Sequence, residues 1–304
     1  MGILRFALPK GHLWARVKDL LDQAGYGLRV KDERSYLVGS NDPELELRIH
    51  RAQNISPLVE EGRYDIGITG YDWVVEHNAD VEELLDLGVG KVDIIAAVPQ
   101  RYELEGLGEN EALGRFIQKI KEEGKERIIA ASEYENITAN FCRRRFGAFP
   151  YKFIRSYGAT ETFIGAADLI VDCTETGATL QANGWQVISK IFSSTARLIA
   201  NRQSLRDDWK REKIEGVVEL VKGAMAARGM KLIKMNVSAD ALEGVLSILP
   251  SMKSPTISRL AGGGDAGYAV EVAVSDEQVL HLIPTLKRKG ATDILEIDIK
   301  KVVR

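Results

Sequence analysis

The chain has 304 residues, 45% of them hydrophobic, and a formal net charge of −3. That is room for two or three globular domains of roughly 100–200 residues each. The slight acidity argues against a nucleic-acid binder, which needs a basic face, and no apolar run approaches the ~20 residues that span a bilayer.

The start, Met1-Gly-Ile-Leu-Arg-Phe, has neither a signal-peptide layout nor a myristoylation pattern. Cys142 and Cys173 are the two cysteines, with no disulfide or metal spacing, so a reducing cytoplasm is the expected compartment. Residues 3–8 read as a strand broken by Pro9-Lys10-Gly11. Leu13, Val17, Leu20, Leu21 and Ala24 then recur at helical spacing up to Gly25. Strands are expected at 45–49, 65–69 and 92–98. Helices are expected at 55–61 and from Gly70 to His77. The charged stretch 101–114 reads as a surface connection leading into a helix through Glu123. A strand at 128–131, a helix at 134–146, a strand at 151–154 and a short helix at 160–166 follow. Residues 186–200 supply one or two more strands. This alternation predicts a mostly parallel sheet with helices on both faces. It divides into two α/β lobes that change over near 95 and 185: lobe I from 1–94 with 185–224, and lobe II from 95–184. A helix at 207–228 precedes a separate unit at 225–304. Its order βαββαβ is ferredoxin-like, with strands 257–260 and 268–274 paired across Gly262–Gly267.

Asp168-Leu-Ile-Val-Asp172-Cys-Thr-Glu-Thr-Gly-Ala-Thr-Leu180 is the most informative stretch. It reads as a buried strand, a tight turn and a helix starting at Thr176 or Thr179. Such a turn points main-chain N–H groups at one spot and suits a phosphate. Gly177 lets the anion approach, and the threonines add donors. Asp172 and Glu175 suit a ligand that also carries sugar hydroxyls or Mg²⁺. An ordinary strand–turn–helix with a polar turn has the same outline. Cys173 has no evident base beside it and reads as a packing residue.

Thr174-Glu-Thr-Gly-Ala-Thr-Leu180 resembles the phosphate loop of phosphoribosyltransferases. The wider string through Asn183-Gly184 is similar to that of ATP phosphoribosyltransferase, the first enzyme of histidine biosynthesis. The likeness extends to Leu8-Pro9-Lys10-Gly11, to Arg51 with Thr69-Gly70-Tyr-Asp72, to Gly158-Ala-Thr-Glu161, and to Leu249–Thr256 of the family's long form. His12 stands where the family usually has arginine. The resemblance implies a two-lobed, periplasmic-binding-protein-like core and a C-terminal ACT-like regulatory domain. It implies ATP and phosphoribosyl pyrophosphate (PRPP) as substrates and Mg²⁺ as cofactor. Lys10 and Arg51 would hold pyrophosphate. Gly11, Thr69, Gly70 and Asp72 would form an anion turn on the ATP side, although Asp72 would equally serve as a helix cap. Glu161, Asp172, Thr174, Glu175, Thr176, Gly177, Ala178 and Thr179 would bind PRPP, with Glu161 and Asp172 on the metal. Histidine would inhibit through Ser254 and Thr256 in a dimeric or hexameric assembly. Two other readings stay open. A solute-binding protein shares the two lobes. A nucleobase phosphoribosyltransferase shares the loop, though its acids are usually adjacent.

Overall fold

Leu4–Pro9 forms β1, which is buried along almost its whole length and pairs in parallel with a strand on each side, as in a sheet whose two faces are covered. The structure, a computed structural model, describes residues 2–30, 35–250, 254–261 and 266–303. Residues 251–253 of the family-like segment Leu249–Thr256 and residues 262–265 of the expected turn lie outside the described residues.

After β1 come α1 (His12–Gln23), β2 (Arg29–Val30), β3 (Leu37–Gly39) and β4 (Leu45–His50). Then follow α2 (Ile55–Glu60), β5 (Ile66–Gly70), α3 (Tyr71–His77) and β6 (Glu82–Asp86). The chain crosses into lobe II with β7 (Val92–Pro99), α4 (Glu109–Glu122), β8 (Ile128–Ser132), α5 (Glu135–Phe146) and β9 (Tyr151–Arg155). Lobe II closes with β10 (Leu169–Thr174), α6 (Ala178–Ala182) and β11 (Trp185–Ser194), and β12 (Ala196–Ala200) returns to lobe I. Next are α7 (Asp208–Ala227), β13 (Met230–Val237), α8 (Leu242–Leu246), β14 (Thr256–Arg259), β15 (Tyr268–Ser275), α9 (Asp276–Arg288) and β16 (Ala291–Asp298).

Among the described residues the lobe I sheet has the order β2-β3-β4-β1-β5-β12-β6, and the lobe II sheet β11-β7-β10-β8-β9. Both are mixed, which corrects the expectation of mostly parallel sheets. β1, β4 and β5 run parallel, as do β10, β8 and β9, but β12 and β7 enter antiparallel. The strands that arrive from the other lobe, β7 and β12, run backwards, and β2, β3 and β4 pair antiparallel within lobe I as well. The two passages, at 87–91 and at Thr195, are bonded to each other by Leu87 N–H to the Ala196 carbonyl and Ala196 N–H to the Val89 carbonyl, both 2.9 Å. This double passage is the expected two-lobed, periplasmic-binding-protein-like core. Residues 185–194 pair with β7 and so belong to lobe II rather than lobe I. The polar Ser193-Ser194-Thr195 stands where the chain changes sheet, between β11 and β12.

Alternation along β7 sends Ile94, Ala96 and Val98 to one core layer and Ile95 and Ala97 to the other. The stretch 101–114 is not a surface connection. Tyr102, Leu104, Ala112 and Leu113 are buried in the first of those layers, and α4 already starts at Glu109. In lobe I, Ile55, Val59 and Val74 pack with Ala7 and Ile199.

Contacts group the chain into two compact units, one running to Lys18 and resuming at Leu28–Ile214, the other made of Asp19–Gly27 and the chain from Glu215 onward. The second begins earlier than the expected 225. Its antiparallel sheet, ordered β14-β15-β13-β16, with α8 and α9 packed on Ile233, Met235 and Val272, is ferredoxin-like as expected. Thr256 opens β14, and both it and Ser254 are exposed.

Candidate active site

Three neighbouring parallel strands, β4, β1 and β5, end together and deliver Arg51, Lys10 and Gly70 to one place. This is where open α/β sheets bind ligands. Lys10 donates its N–H to the His50 carbonyl at 2.7 Å, and its ammonium lies 5.2 Å from the Tyr36 ring centre. Gly11 has φ +86°, a turn that brings exposed His12 to the start of α1. These residues line a cleft of about 500 Å³ together with Asp72 of lobe I and Glu133, Tyr134 and Cys173 of lobe II.

Thr69 does not face this cleft. It is fully buried, and its hydroxyl donates to the Ala52 carbonyl at 2.8 Å, bracing the turn that carries Arg51. Asp72 is buried and is no helix cap. Its Oδ1 accepts from the Ser194 hydroxyl at 2.6 Å and its Oδ2 from the Tyr134 hydroxyl at 2.8 Å. A side chain on Gly70 would place its Cβ 2.1 Å from Asp72 Oδ1, so only glycine fits. One turn further along α3, buried Glu76 accepts the N–H groups of Asn136 and Ile137 at 3.0 Å each. A carboxylate of lobe I thus caps α5 of lobe II.

The expected strand–turn–helix follows at β10, but α6 is a single turn of five residues. A helix that short adds little dipole, so the turn itself would have to supply any hold on an anion there. Gly177 has φ +78°, which makes the turn possible. Its N–H is bonded to Thr174 Oγ1 at 2.8 Å, and that of Ala178 to Thr176 Oγ1 at 3.3 Å. Glu175, Thr176, Ala178 and Thr179 are exposed. Thr176 and Gly177 line a separate cavity of about 270 Å³ beside Gln100 and Trp185. The structure therefore unites Lys10, Gly11, Arg51, Gly70 and Asp72, and it reaches the loop through Cys173.

Burial pushes the Asp172 carboxyl up to about 6. The Cys173 amide opposes this, and Glu161 and Glu133 add to it. Burial also raises Glu133, against the pull of Arg51 and Arg155. Burial, with Asp172 next to it, pushes the Cys173 thiol up to about 12, which suits a packing residue and not a nucleophile. Glu133 and Tyr134 escaped the sequence reading. Both directly follow the carboxyl end of β8, and that strand-end position is the signal that could have found them.

Among the described residues no three Asp, Glu, His or Cys side chains form a metal cage. Asp172 and Glu161 fit Mg²⁺ nonetheless. They are oxygen donors whose mutual repulsion a cation relieves, and Mg²⁺ needs only one or two carboxylates when it arrives with phosphates.

Residues 51–223 match the family model described as ATP phosphoribosyltransferase, and residues 227–301 match that of the HisG C-terminal domain. The chain is 42% identical over 301 residues to the ATP phosphoribosyltransferase of Pelotomaculum thermopropionicum, covering 99% of both. It is 40% identical over 303 residues to that of Desulforudis audaxviator, again covering 99% of both. Among solved structures it is similar to the ATP phosphoribosyl transferase HisG:HisZ complex from Thermotoga maritima, with a TM-score of 0.56 and 25% identity. That likeness covers 72% of this chain and 98% of the other.

Proposed function

The chain belongs to the ATP phosphoribosyltransferase family, in its long form, and from that premise we propose that it joins N1 of ATP to C1′ of PRPP and expels pyrophosphate. The family is one of pentosyltransferases acting first in histidine biosynthesis, so the solute-binding and nucleobase readings lose their footing.

The observation that carries the reaction is the division of charge across the cleft. Lys10 and Arg51 stand on the lobe I side, and Glu133 on the lobe II side with Asp172 and Glu161 behind it. Cations suit the phosphate chains, and acids suit a ribose diol. Lys10 and Arg51 hold the departing pyrophosphate, with Gly11, Gly70 and Asp72 on the ATP side and Thr69 bracing them. The loop Thr174–Thr179 holds the 5′-phosphate, its amides exchanging their threonine partners for phosphate oxygens. Asp172 and Glu161 would hold Mg²⁺, which when bound offsets the negative charge of the diphosphate. Positioning and charge placement then supply the rate, with no covalent enzyme intermediate.

The test is pyrophosphate release. It should require ATP and PRPP together, and free nucleobases should not replace ATP. No release with both substrates would overturn the reading.

We also propose that the ferredoxin-like unit senses histidine between neighbouring copies of a dimer or hexamer, with Ser254 and Thr256 among its contacts. Ser254→Ala and Thr256→Ala should weaken inhibition by about tenfold, the value of roughly one good hydrogen bond, without changing kcat. Unchanged inhibition in both would remove them from the site. A cytoplasmic location fits a biosynthetic enzyme, and among the described residues no helix is long and apolar enough to cross a membrane.

A further inference from the structure

Tyr134 stands between the two halves of the cleft and is 2% exposed. Its hydroxyl donates to Asp72 Oδ2 of lobe I at 2.8 Å, and it lines the cleft together with Cys173 of lobe II. Asp72 lies two residues beyond Gly70, at the end of the strand beside Arg51. Cys173 is the neighbour of Asp172, on the strand that runs into the phosphate loop. One phenol of lobe II thus holds the carboxylate behind the ATP half-site, in the same cleft as the residue behind the PRPP half-site.

We propose that Tyr134 is a positioning residue that fixes the ATP half-site against the PRPP half-site. This rests on the phosphoribosyl-transfer reading above. The surroundings hold Tyr134 tightly enough for the task. Its ring packs on Trp73 with centroids 4.6 Å apart. The main chain just after it is gripped by Glu76, which caps α5. Asp72 is fixed from its other side by Ser194, whose hydroxyl donates to Oδ1 and accepts the Asp72 N–H at 3.0 Å. Without the phenol, Asp72 Oδ2 is left short of a donor in a buried place and turns away, and lobe II loses this hold on lobe I. Each substrate still finds its own contacts. What is lost is the alignment of N1 with C1′, to which a displacement near 1 Å is costly.

The test uses full-length Tyr134→Phe, which keeps the ring packing, compared with the unchanged enzyme. Pyrophosphate release should fall about 10- to 100-fold in kcat, the worth of a hydrogen bond to a charged group. The separately measured Kd values for ATP and for PRPP should stay within about twofold, the size of effect expected when binding contacts are untouched. Ser194→Ala removes the other donor to Asp72 and should give the same split. The double variant should be much less than additive, because both groups hold one carboxylate. An unchanged kcat beside a lowered Tm would make the contact merely structural and overturn the inference. If Tyr134→Phe fails to fold, Ser194→Ala decides on the same criteria. If the unchanged enzyme itself releases no pyrophosphate, the reaction falls and this inference with it. An active enzyme with an indifferent Tyr134→Phe sinks the inference alone.

Discussion

The two walls of the cleft are built in opposite ways. On the lobe I side the supporting groups are buried and bonded inward, Thr69 to Ala52 and Asp72 to Ser194 and Tyr134. On the lobe II side the loop is exposed, and its own threonines occupy the Gly177 and Ala178 amides. The first wall is ready before a ligand arrives. The second must exchange hydrogen bonds to take one. Specificity built on the first is a matter of fixed geometry, while binding on the second is a substitution of partners, with a smaller net gain.

The largest effect that could break this contrast lies on the prepared wall. Arg51→Ala should lower kcat/KM by about 10²–10³-fold, as the loss of a fixed charge-stabilising donor does. Near-normal kinetics would show that the wall is not engaged in the reaction.

Next is Asp172, behind the loop. Its carboxyl ionises near 4 when unfolded and at about 6 when folded. The folded state binds the proton more tightly, so this group lowers stability as pH rises from about 4 to 6 and holds it down above that. In the metal-free protein Asp172→Asn should therefore add up to about 3 kcal/mol at pH 8 and almost nothing at pH 4. Urea unfolding at both pH values measures it, and an equal effect at the two would contradict the assigned cause.

Gly177→Ala sharpens the contrast from the loop side. At φ +78° a side chain costs roughly 1–2 kcal/mol. Stability should drop by that amount and the KM for PRPP should rise, with the KM for ATP unmoved. A shift in both would mean that the loop and the lobe I wall act as one.

The smallest effect is expected at the Arg16–Glu175 pair, 3.6 Å apart with both side chains about half exposed. Arg16→Ala should change stability by less than about 1 kcal/mol, and less still in high salt. A larger loss would show that the loop is anchored across the cleft and not self-contained.

What could be read from the chain follows the same division. Lys10 and Gly70 were legible because proline and glycine mark the ends of their strands, and Arg51 through the resemblance of its segment to the family. The loop at Thr174–Thr179 was legible because hydroxyls and a glycine interrupt an apolar run. The direction of the Thr69 hydroxyl was not, since β5 is buried on both faces and alternation then carries no sign of orientation. β6, spelled Glu82-Glu-Leu-Leu-Asp86, is an edge strand whose polar residues hide it. Tyr102 and Leu104 are isolated apolar residues among charges, and only the fold shows that they reach the core. The Tyr134–Asp72 bond joins positions far apart in the chain, and no local pattern announces it.

The paired passages at 87–91 and Thr195 have a mechanical consequence. Two strands of chain stitched edge to edge make a flat ribbon, which flexes about a line across its width but resists twisting and sliding. Gly88 and Gly90, at φ +61° and +64°, put the pliable points in one of the two plies. A change of angle between the lobes would therefore turn about a single axis and strain first the bonds that cross the cleft, Tyr134 to Asp72 and α5 to Glu76.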